Sequence, residues 1–271
     1  MSEPTFTLTR GTTPLLLSLP HVGTAIPDDV ASALVPRARA LEDTDWHLAE
    51  VYGFARVLGA SVLVPRFSRY VIDLNRPPEN APMYPGANNT ELVPTHFFSG
   101  DPLYREGRAP DEREIERRRE LYWRPYHDAL AGEVARLVAA NGRAIVWDGH
   151  SIQAELPWLF EGRLPDLNLG TANGTSCASA LRADLMDVLA AQSSFSHVTD
   201  GRFKGGYITR HYARPADRVH AVQLEMALST YMDETHAAFP VAPADPLLLA
   251  RLRPVLRALL QTTLDWCADA G

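Results

Sequence analysis

Apolar residues in this chain fall into two kinds of segment. Short apolar runs end at Gly, Pro or charged residues, and longer stretches between them repeat apolar positions at helical spacing. This alternation is typical of buried strands joined by helices that cover a sheet. It predicts an α/β fold with a mixed, mostly parallel sheet flanked by helices. The predicted strands are residues 15–18, 61–64, 70–74, 144–147 and 219–224.

Four longer segments are predicted to be helical: residues 45–58, 122–138, 177–189 and 247–266. In the first, Asp43 is assigned as the N-cap and Gly59 as the stop. Pro125 should kink the second or mark the point where it restarts, because proline removes a backbone donor and clashes with the preceding turn.

The segment 76–110 is rich in Pro, Gly and Asn and is longer than a simple connection requires. That length favours a binding loop. No internal repeat and no Gly/Ser linker divides the 271 residues, so we expect a single domain over residues 1–271.

Composition and charge narrow the classes of function. The net charge of -7 and a pI near 5.7 argue against a nucleic-acid-binding protein, whose surface should be basic. Two cysteines are too few for a disulfide framework and favour a reducing compartment. Neither a secretory signal nor a long apolar segment is recognisable, so we expect no membrane partner and a cytoplasmic location. The oligomeric state stays open.

Two histidines follow predicted strands. His21 comes just after residues 15–18, at the strand end where α/β sheets usually bind ligands, although a single histidine there is more often structural. His150 follows residues 144–147, and Asp148 could orient it through the second ring nitrogen. If the two strands are parallel neighbours, both imidazoles reach one edge of the sheet. Two histidines and one carboxylate form the usual protein shell of a hydrolytic zinc ion.

The carboxylate ligand must come from elsewhere in the chain. A short-spaced site would place it three residues after His21, where Thr24 stands. Asp43 and Asp45 come just before the first predicted helix, where an N-cap and acids favoured by the helix dipole are also expected. We assign Asp45 as the ligand and keep Asp43 as the alternative.

Arginines and one late glutamate complete the candidate site. Asn75 and Arg76 could clamp a substrate carboxylate, since a guanidinium matches a carboxylate bidentately; a surface ion pair is the alternative. Arg210, after two glycines, could hold a second carboxylate, or the glycines could simply form a turn. Glu225 ends a buried strand and is assigned as the general base, with a structural salt bridge as the alternative. His127 is expected to be structural or to lie in an outer shell.

The order of the motifs resembles that of the N-formylglutamate amidohydrolase family. The motifs are Ser-x-Pro-His-x-Gly, Asp-Thr-Asp-Trp, Ser-Arg-Tyr-Val-Ile-Asp-Leu-Asn-Arg-Pro, Asp-Gly-His-Ser, Gly-Gly-Tyr-Ile-Thr-Arg and Gln-x-Glu-Met, which run from Leu17 to about Tyr231. The resemblance implies a fold similar to that of zinc carboxypeptidases and aspartoacylase. It also implies deformylation of N-formyl-L-glutamate to glutamate and formate, at the end of a histidine-degradation route.

The relatives in that fold order their parts as a ligand histidine, an arginine, Asn-Arg, Asp-x-His-Ser and a late glutamate. The same order stands here at His21, Arg69, Asn75 with Arg76, residues 148–151, and Glu225. Thr24 departs from the pattern, because those relatives take a carboxylate ligand from that position. The metal set is therefore better supported at the two histidines than at Asp45.

The sequence thus leads to one hypothesis and two rivals. Zinc on His21, Asp45 and His150 would activate water, Glu225 would move the proton, and Arg69 would help to stabilise the oxyanion. Two arginine clamps imply a dicarboxylate substrate. One rival keeps the site but hydrolyses another N-acyl amino acid or a small peptide; the other is a non-catalytic dicarboxylate-binding protein. The native metal is open, because such sites accept several divalent ions.

Overall fold

A seven-stranded sheet forms the centre of the computed structural model, which describes residues 4–83 and 88–269. Its strand order is β1-β3-β2-β4-β7-β5-β6. The strands are β1 (Phe6–Thr9), β2 (Leu15–Ser18), β3 (Ser61–Pro65), β4 (Ala144–Ile152), β5 (Leu167–Gly170), β6 (His197–Thr199) and β7 (Val219–Ala227).

Seven α-helices accompany the sheet in the described ranges: α1 (Asp28–Ala31), α2 (Leu48–Val51), α3 (Glu112–Arg118), α4 (Arg124–Asn141), α5 (Ser179–Ala191), α6 (Tyr207–Tyr212) and α7 (Pro246–Asp269). A π-helical turn at Arg119–Trp123 joins α3 to α4. Shorter 3₁₀ turns occur at Pro36–Ala40, Gly53–Arg56, Pro215–Asp217, Leu228–Thr230 and Glu234–His236.

The four central strands, β3, β2, β4 and β7, are parallel. Strand β1 pairs antiparallel with β3, β5 pairs antiparallel with β7, and β6 is parallel to β5. The predicted α/β class with a mixed, mostly parallel sheet is confirmed. Because β2 and β4 are parallel neighbours, their carboxyl ends meet at one edge, where the chain carries its two candidate ligand histidines.

The core lies on both faces of the sheet. Successive residues of a strand point to opposite faces, and accordingly Leu15 and Leu17 join a cluster with α5 and α7, whereas Leu16 joins a cluster with α4. Every residue of β2, β4 and β7 is buried. Burial on both faces explains why these strands appear as nearly continuous apolar runs in the sequence.

Two predicted elements are wrong. Residues 70–74 form turns and not a strand, because their apolar side chains are buried without pairing: Val71 packs in one core cluster and Ile72 in the other. The helix predicted at 45–58 is broken into α2 and the 3₁₀ turn Gly53–Arg56, and the position before α2 is His47, with a φ of 58°. Asp43 is therefore not the cap of that helix.

Other predictions agree more closely with the structure. Helices α5 and α7 begin and end within three residues of the predicted bounds, and α4 restarts after a π-helical turn, as Pro125 indicated. Strands β4 and β7 run further than predicted, so that His150 and Glu225 lie within them. The short strands β1, β5 and β6 were missed.

The predicted loop 76–110 contains neither a helix nor a named strand in its described parts. Residues 84–87 of that loop, and residues 1–3 and 270–271 of the predicted domain, lie outside the described residues. Within ranges 4–83 and 88–269, no helix combines the length and the apolar character needed to cross a bilayer.

Candidate active site

The two strand-end histidines and one aspartate meet at the carboxyl edge of the sheet. The Nδ1 atoms of His21 and His150 are 3.2 Å apart. Oδ2 of Asp45 lies 3.8 Å from Nδ1 of His21 and 3.4 Å from Nδ1 of His150. The backbone N–H of Asp45 donates to the His21 carbonyl (3.1 Å), which joins the two segments directly. All three side chains are buried.

These spacings fit a single metal ion. A tetrahedral ion with bonds of about 2.0 to 2.1 Å separates its ligand atoms by about 3.3 Å. The three observed separations of 3.2, 3.4 and 3.8 Å lie close to that value. His21, Asp45 and His150 could therefore bind a metal ion between them.

A carboxylate supports each histidine from behind. Oδ1 of Asp73 lies 2.8 Å from Nε2 of His21, and Oδ1 of Asp148 lies 3.0 Å from Nε2 of His150. At His21 this contact is a hydrogen bond that favours a proton on Nε2, which leaves the Nδ1 lone pair for a ligand. Sequence reasoning found Asp148 and missed Asp73. The available signal was its four-residue spacing from Arg69, with which it forms a buried ion pair of 2.6 Å.

The surroundings shift the pKa values of the two imidazoles in opposite directions. Burial, with the positive charge of Arg69, lowers the pKa of His21. Burial also acts to lower the pKa of His150, but the carboxylates of Asp148, Asp45 and Glu225 together outweigh it and raise that pKa well above its usual value. The two rings therefore differ electrostatically although their geometry is alike.

Asp43, the alternative ligand, does not face the histidines. Its Oδ2 accepts hydrogen bonds from the Tyr70 hydroxyl (3.0 Å) and the Phe98 backbone N–H (3.1 Å). Burial raises the pKa of Asp43 to about 6. Because its carboxylate holds the chain around Tyr70 and Phe98, the alternative ligand assignment is corrected in favour of Asp45.

Glu225 lies beside His150, since the two residues are paired in the parallel register of β4 and β7. Its carboxylate accepts a hydrogen bond from Nε2 of Gln223 (3.3 Å). Burial raises the pKa of Glu225 to about 8, although the positive charge of His150 opposes that shift. A buried acid with this pKa, next to a group that could bind a metal ion, is suited to proton transfer.

Arg69 also lines the cleft but is already engaged. Its Nη2 donates to Asp73, its Nη1 lies 3.3 Å from Nδ1 of His21, and its guanidinium lies 4.4 Å from the centre of the Phe98 ring. These contacts hold a permanent positive charge beside the two histidines.

Asn75 and Arg76 both line the cleft, but their side chains make different contacts. The Asn75 amide contacts protein groups: its Nδ2 lies 3.0 Å from Nε2 of His150 and donates to Asp148, and its Oδ1 accepts from the Ile208 N–H. Arg76 donates to the carbonyl of Asn75 and to the carbonyl and hydroxyl of Thr90. The Asn75 amide thus contacts groups around His150, and because Asn75 also lines the cleft, its contact with substrate stays a prediction.

Arg210, the predicted second clamp, lies outside this cleft. Its exposed side chain lines a separate surface depression with Thr175 and Ser176, and its Nε donates to the Gly205 carbonyl. The arginine that lines the cleft from this part of the chain is Arg202. The two residues lie on either side of Gly205 and Gly206, so the sequence pattern located the segment but not the side chain.

The cleft includes several residues to which the sequence analysis assigned no role. They come from the predicted binding loop, from the end of β4, from β7 and from the segments that follow β4 and β6. Those that line it are Asn88, Asn89, Thr90, Phe98, Ser151, Ile152, Leu159, Arg202, Phe203, Gly206 and Gln223. Composition identified the loop, but no local pattern distinguishes a cleft-lining Asn from an ordinary loop residue.

The family model for N-formylglutamate amidohydrolase matches residues 13–232. The chain belongs to the N-formylglutamate amidohydrolase family. It is 50% identical over 260 residues to an N-formylglutamate deformylase of Pseudomonas putida, covering 96% of each chain. It is 53% identical over 257 residues to an N-formylglutamate deformylase of Pseudomonas aeruginosa, covering 95% of each. The resemblance inferred from the motifs is confirmed.

Solved structures agree with membership of the N-formylglutamate amidohydrolase family. The crystal structure of an N-formylglutamate amidohydrolase from Ralstonia eutropha JMP134 matches with a TM-score of 0.77 and 26% identity over 97% of each chain. A gene product of Agrobacterium tumefaciens matches with a TM-score of 0.70 and 19% identity over 96% of each chain, and shares the fold.

Proposed function

We propose that this protein hydrolyses N-formyl-L-glutamate to L-glutamate and formate with a zinc ion bound by His21, Asp45 and His150. Its relatives that are 50% and 53% identical are named for this reaction. The observation that supports the proposal is structural: a buried group that could bind a metal ion and the buried carboxylate of Glu225 line one cleft.

The residues fit the group that the reaction needs. Two imidazoles and one carboxylate are the usual protein ligands of hydrolytic zinc, and their spacing suits a tetrahedral ion. When bound, such an ion lowers the pKa of water and polarises a carbonyl group. Asp73 and Asp148 hold the two imidazoles in the orientation that this binding requires.

Glu225 moves the proton. Its carboxylate accepts a proton from the water that attacks the formyl carbon, and it returns that proton to the amine nitrogen as the C–N bond breaks. A pKa near the working pH suits a group that both takes and gives a proton, and burial raises the pKa of Glu225 to about 8. The products are formate and the free amine of glutamate.

Two arginines interact with negative charge, one with the oxygen that becomes charged during hydrolysis and one with a carboxylate of the substrate. Arg69, fixed by Asp73 and Phe98, stabilises the oxygen on which charge develops. Arg76 binds a carboxylate of the glutamate portion through the N–H groups that it does not use on Thr90 and Asn75. Asn75 contributes by keeping Arg76 and His150 in place.

The substitution Glu225→Gln tests the proposal. It removes the titratable group and keeps the side-chain volume, so metal content measured by mass spectrometry should stay at the wild-type level. Formate release from N-formyl-L-glutamate should fall by about 10²- to 10⁴-fold. Glu155→Gln, at an exposed surface position, is the matched control.

Two further arms distinguish the rival functions. Release of acetate from N-acetyl-L-glutamate at a rate equal to that of formate would favour a broader amidohydrolase. Binding of N-formyl-L-glutamate by metal-free protein, with no cleavage after zinc is added, would favour the non-catalytic binding protein. A Glu225→Gln variant with normal turnover would overturn the role of Glu225.

A further inference from the structure

Three arginines line the cleft among the described residues, and they differ in what holds them. Arg69 is buried and forms an ion pair with Asp73 at 2.6 Å. Arg76 is held by Thr90 and by the Asn75 carbonyl. Arg202 is partly buried and comes from a different segment, between β6 and α6. Two guanidinium groups, in addition to the positive charge of Arg69 next to the histidines, would suit a substrate with two carboxylates.

We propose that Arg202 binds the second carboxylate of the substrate and so selects acidic N-formyl amino acids over neutral ones; this inference rests on the proposed function. Arg202 takes the role that the sequence pattern assigned to Arg210. Arg210 lies outside the cleft, whereas Arg202 lines it together with the metal-binding group and Glu225. Arg76 then binds the first carboxylate.

Two contacts with other described residues help to direct the Arg202 side chain. Its Nη2 donates to the Leu159 carbonyl at 3.2 Å, and its guanidinium lies 5.3 Å from the centre of the Phe203 ring. Leu159 and Phe203 themselves line the cleft. A guanidinium held against an aromatic ring and a carbonyl loses little side-chain entropy on binding a carboxylate, which suits it to bidentate recognition.

Hydrogen bonds fix the N-terminal end of the segment between β6 and α6, which carries Arg202. Asp200 has a φ of 53°, and its carboxylate accepts hydrogen bonds from the Thr171 N–H (2.7 Å), the Thr171 hydroxyl (2.6 Å) and Arg182. The Ala172 N–H donates to the Lys204 carbonyl at 2.6 Å. These bonds attach the start and the middle of the segment to the end of β5.

The second end is fixed to the catalytic residues. The Gly206 N–H donates to Oε1 of Gln223 at 2.7 Å, and Nε2 of the same Gln223 donates to Glu225. Asn75 packs so closely against Gly206 that a Cβ atom there would lie 2.3 Å from its Nδ2. Because Gln223 contacts both the Arg202 segment and Glu225, the distance between the carboxylate fork and the proton-transfer group is set by the fold.

The test compares two substrates of nearly equal shape, N-formyl-L-glutamate and N-formyl-L-glutamine, which differ in the charge of the side chain. Wild-type protein with zinc should prefer N-formyl-L-glutamate. In Arg202→Gln, kcat/KM for this substrate should fall by about 10- to 100-fold, mainly through KM, because a charge-assisted hydrogen-bonded pair is lost. The kcat/KM for N-formyl-L-glutamine should change little, so the preference for N-formyl-L-glutamate over N-formyl-L-glutamine should be lost.

Two further variants distinguish the effects of the charge of Arg202, the planar shape of its guanidinium group and its position in the cleft. Arg202→Lys keeps the charge and loses the planar guanidinium group. Its kcat/KM for N-formyl-L-glutamate should therefore lie between the values for wild type and Arg202→Gln. Arg214→Gln, which removes an exposed arginine paired with Asp217, is the surface control. Thermal unfolding of each variant monitors folding.

Three results would overturn the inference. The first is an Arg202→Gln variant that keeps the preference of the wild type. The second is an equal fall in kcat for both substrates with KM unchanged, which indicates a structural role. The third is loss of the preference in Arg210→Gln with Arg202 intact. If wild-type protein releases formate from neither substrate, the proposed function itself is wrong, and the inference falls with it.

Discussion

Two buried histidine sites of this protein differ in what their ring nitrogens contact. At His127, on α4, both nitrogens meet neutral oxygens: Nδ1 lies 2.9 Å from the Tyr212 hydroxyl and Nε2 lies 2.9 Å from the Leu74 carbonyl. At His21 and His150, each Nε2 meets a carboxylate, and the two Nδ1 atoms face each other at 3.2 Å.

The difference separates a structural histidine from the pair that we propose as metal ligands. Both ring nitrogens of His127 have hydrogen-bond partners within the protein. Burial lowers the pKa of His127 to about 3, so the ring stays neutral. At His21 and His150, the two Nδ1 atoms instead face one point, next to the carboxylate of Asp45. A cation at that point would be attracted to the carboxylate and to any ring nitrogen that carries a lone pair.

The largest effect is expected from removing one of the two histidines whose Nδ1 atoms face each other, His21 and His150. His150→Ala should reduce the bound metal far below one ion per chain. It should also reduce formate release by more than the roughly 10- to 100-fold that loss of a supporting carboxylate costs a metal site. The contrasting variant is His127→Gln, which should retain the metal, because neither ring nitrogen of His127 is directed at the ion site.

Metal analysis and formate release on both variants check this contrast. Equal metal loss in His150→Ala and His127→Gln would contradict it, since the loss would then follow from general destabilisation. Metal retained in His150→Ala would remove His150 from the ligand set.

A smaller effect is expected from the carboxylates behind the rings. Asp73→Asn weakens the hydrogen bond that orients His21 and leaves Arg69 without its ion-pair partner. Metal affinity should fall by about 10- to 100-fold, as measured by competition with a chelator of known affinity. Asp101→Asn, in an exposed pair with Arg37, is the control, and an affinity equal to wild type in Asp73→Asn would show that His21 needs no such support.

The contrast between the two histidine sites was only partly predictable from the sequence. His21 and His150 were recognised because each follows an apolar run, and parallel strands bring their carboxyl ends to one edge. Asp73 was missed because residues 70–74 resemble a strand, in which it would point into the core. The turns that occur there place its carboxylate between His21 and Arg69, and this depends on packing that no local pattern encodes.

The substrate side of the cleft was less predictable for the same reason. Gly205 and Gly206 indicated a turn with an arginine nearby, yet two arginines flank them, and the direction of each side chain is set by tertiary contacts. Arg202 points to Leu159 and Phe203 in the cleft, whereas Arg210 bonds back to Gly205. Four of the five predicted strands and three of the four predicted helices were easier to locate, because hydrophobic periodicity reports burial directly.

The smallest effect concerns the pH dependence of stability at His127. Its pKa is about 3 in the folded protein and about 6.5 in the unfolded chain. Between these values the unfolded chain binds more protons, so the free energy of unfolding falls as the pH is lowered through this range. This stability is present above pH 6.5 and is lost progressively below it.

His127→Gln removes that titration. The variant should be less stable than wild type at pH 7, because Gln reproduces the two hydrogen bonds imperfectly. Its deficit should shrink by about 2 kcal/mol between pH 7 and pH 5, where only the wild type loses the contribution of His127. Urea unfolding of both proteins in the presence of a chelator measures the deficit at each pH without a contribution from metal release. A deficit that is constant with pH would mean that the pKa of His127 is the same in the folded and unfolded states, and the contrast with the facing histidines would then rest on geometry alone.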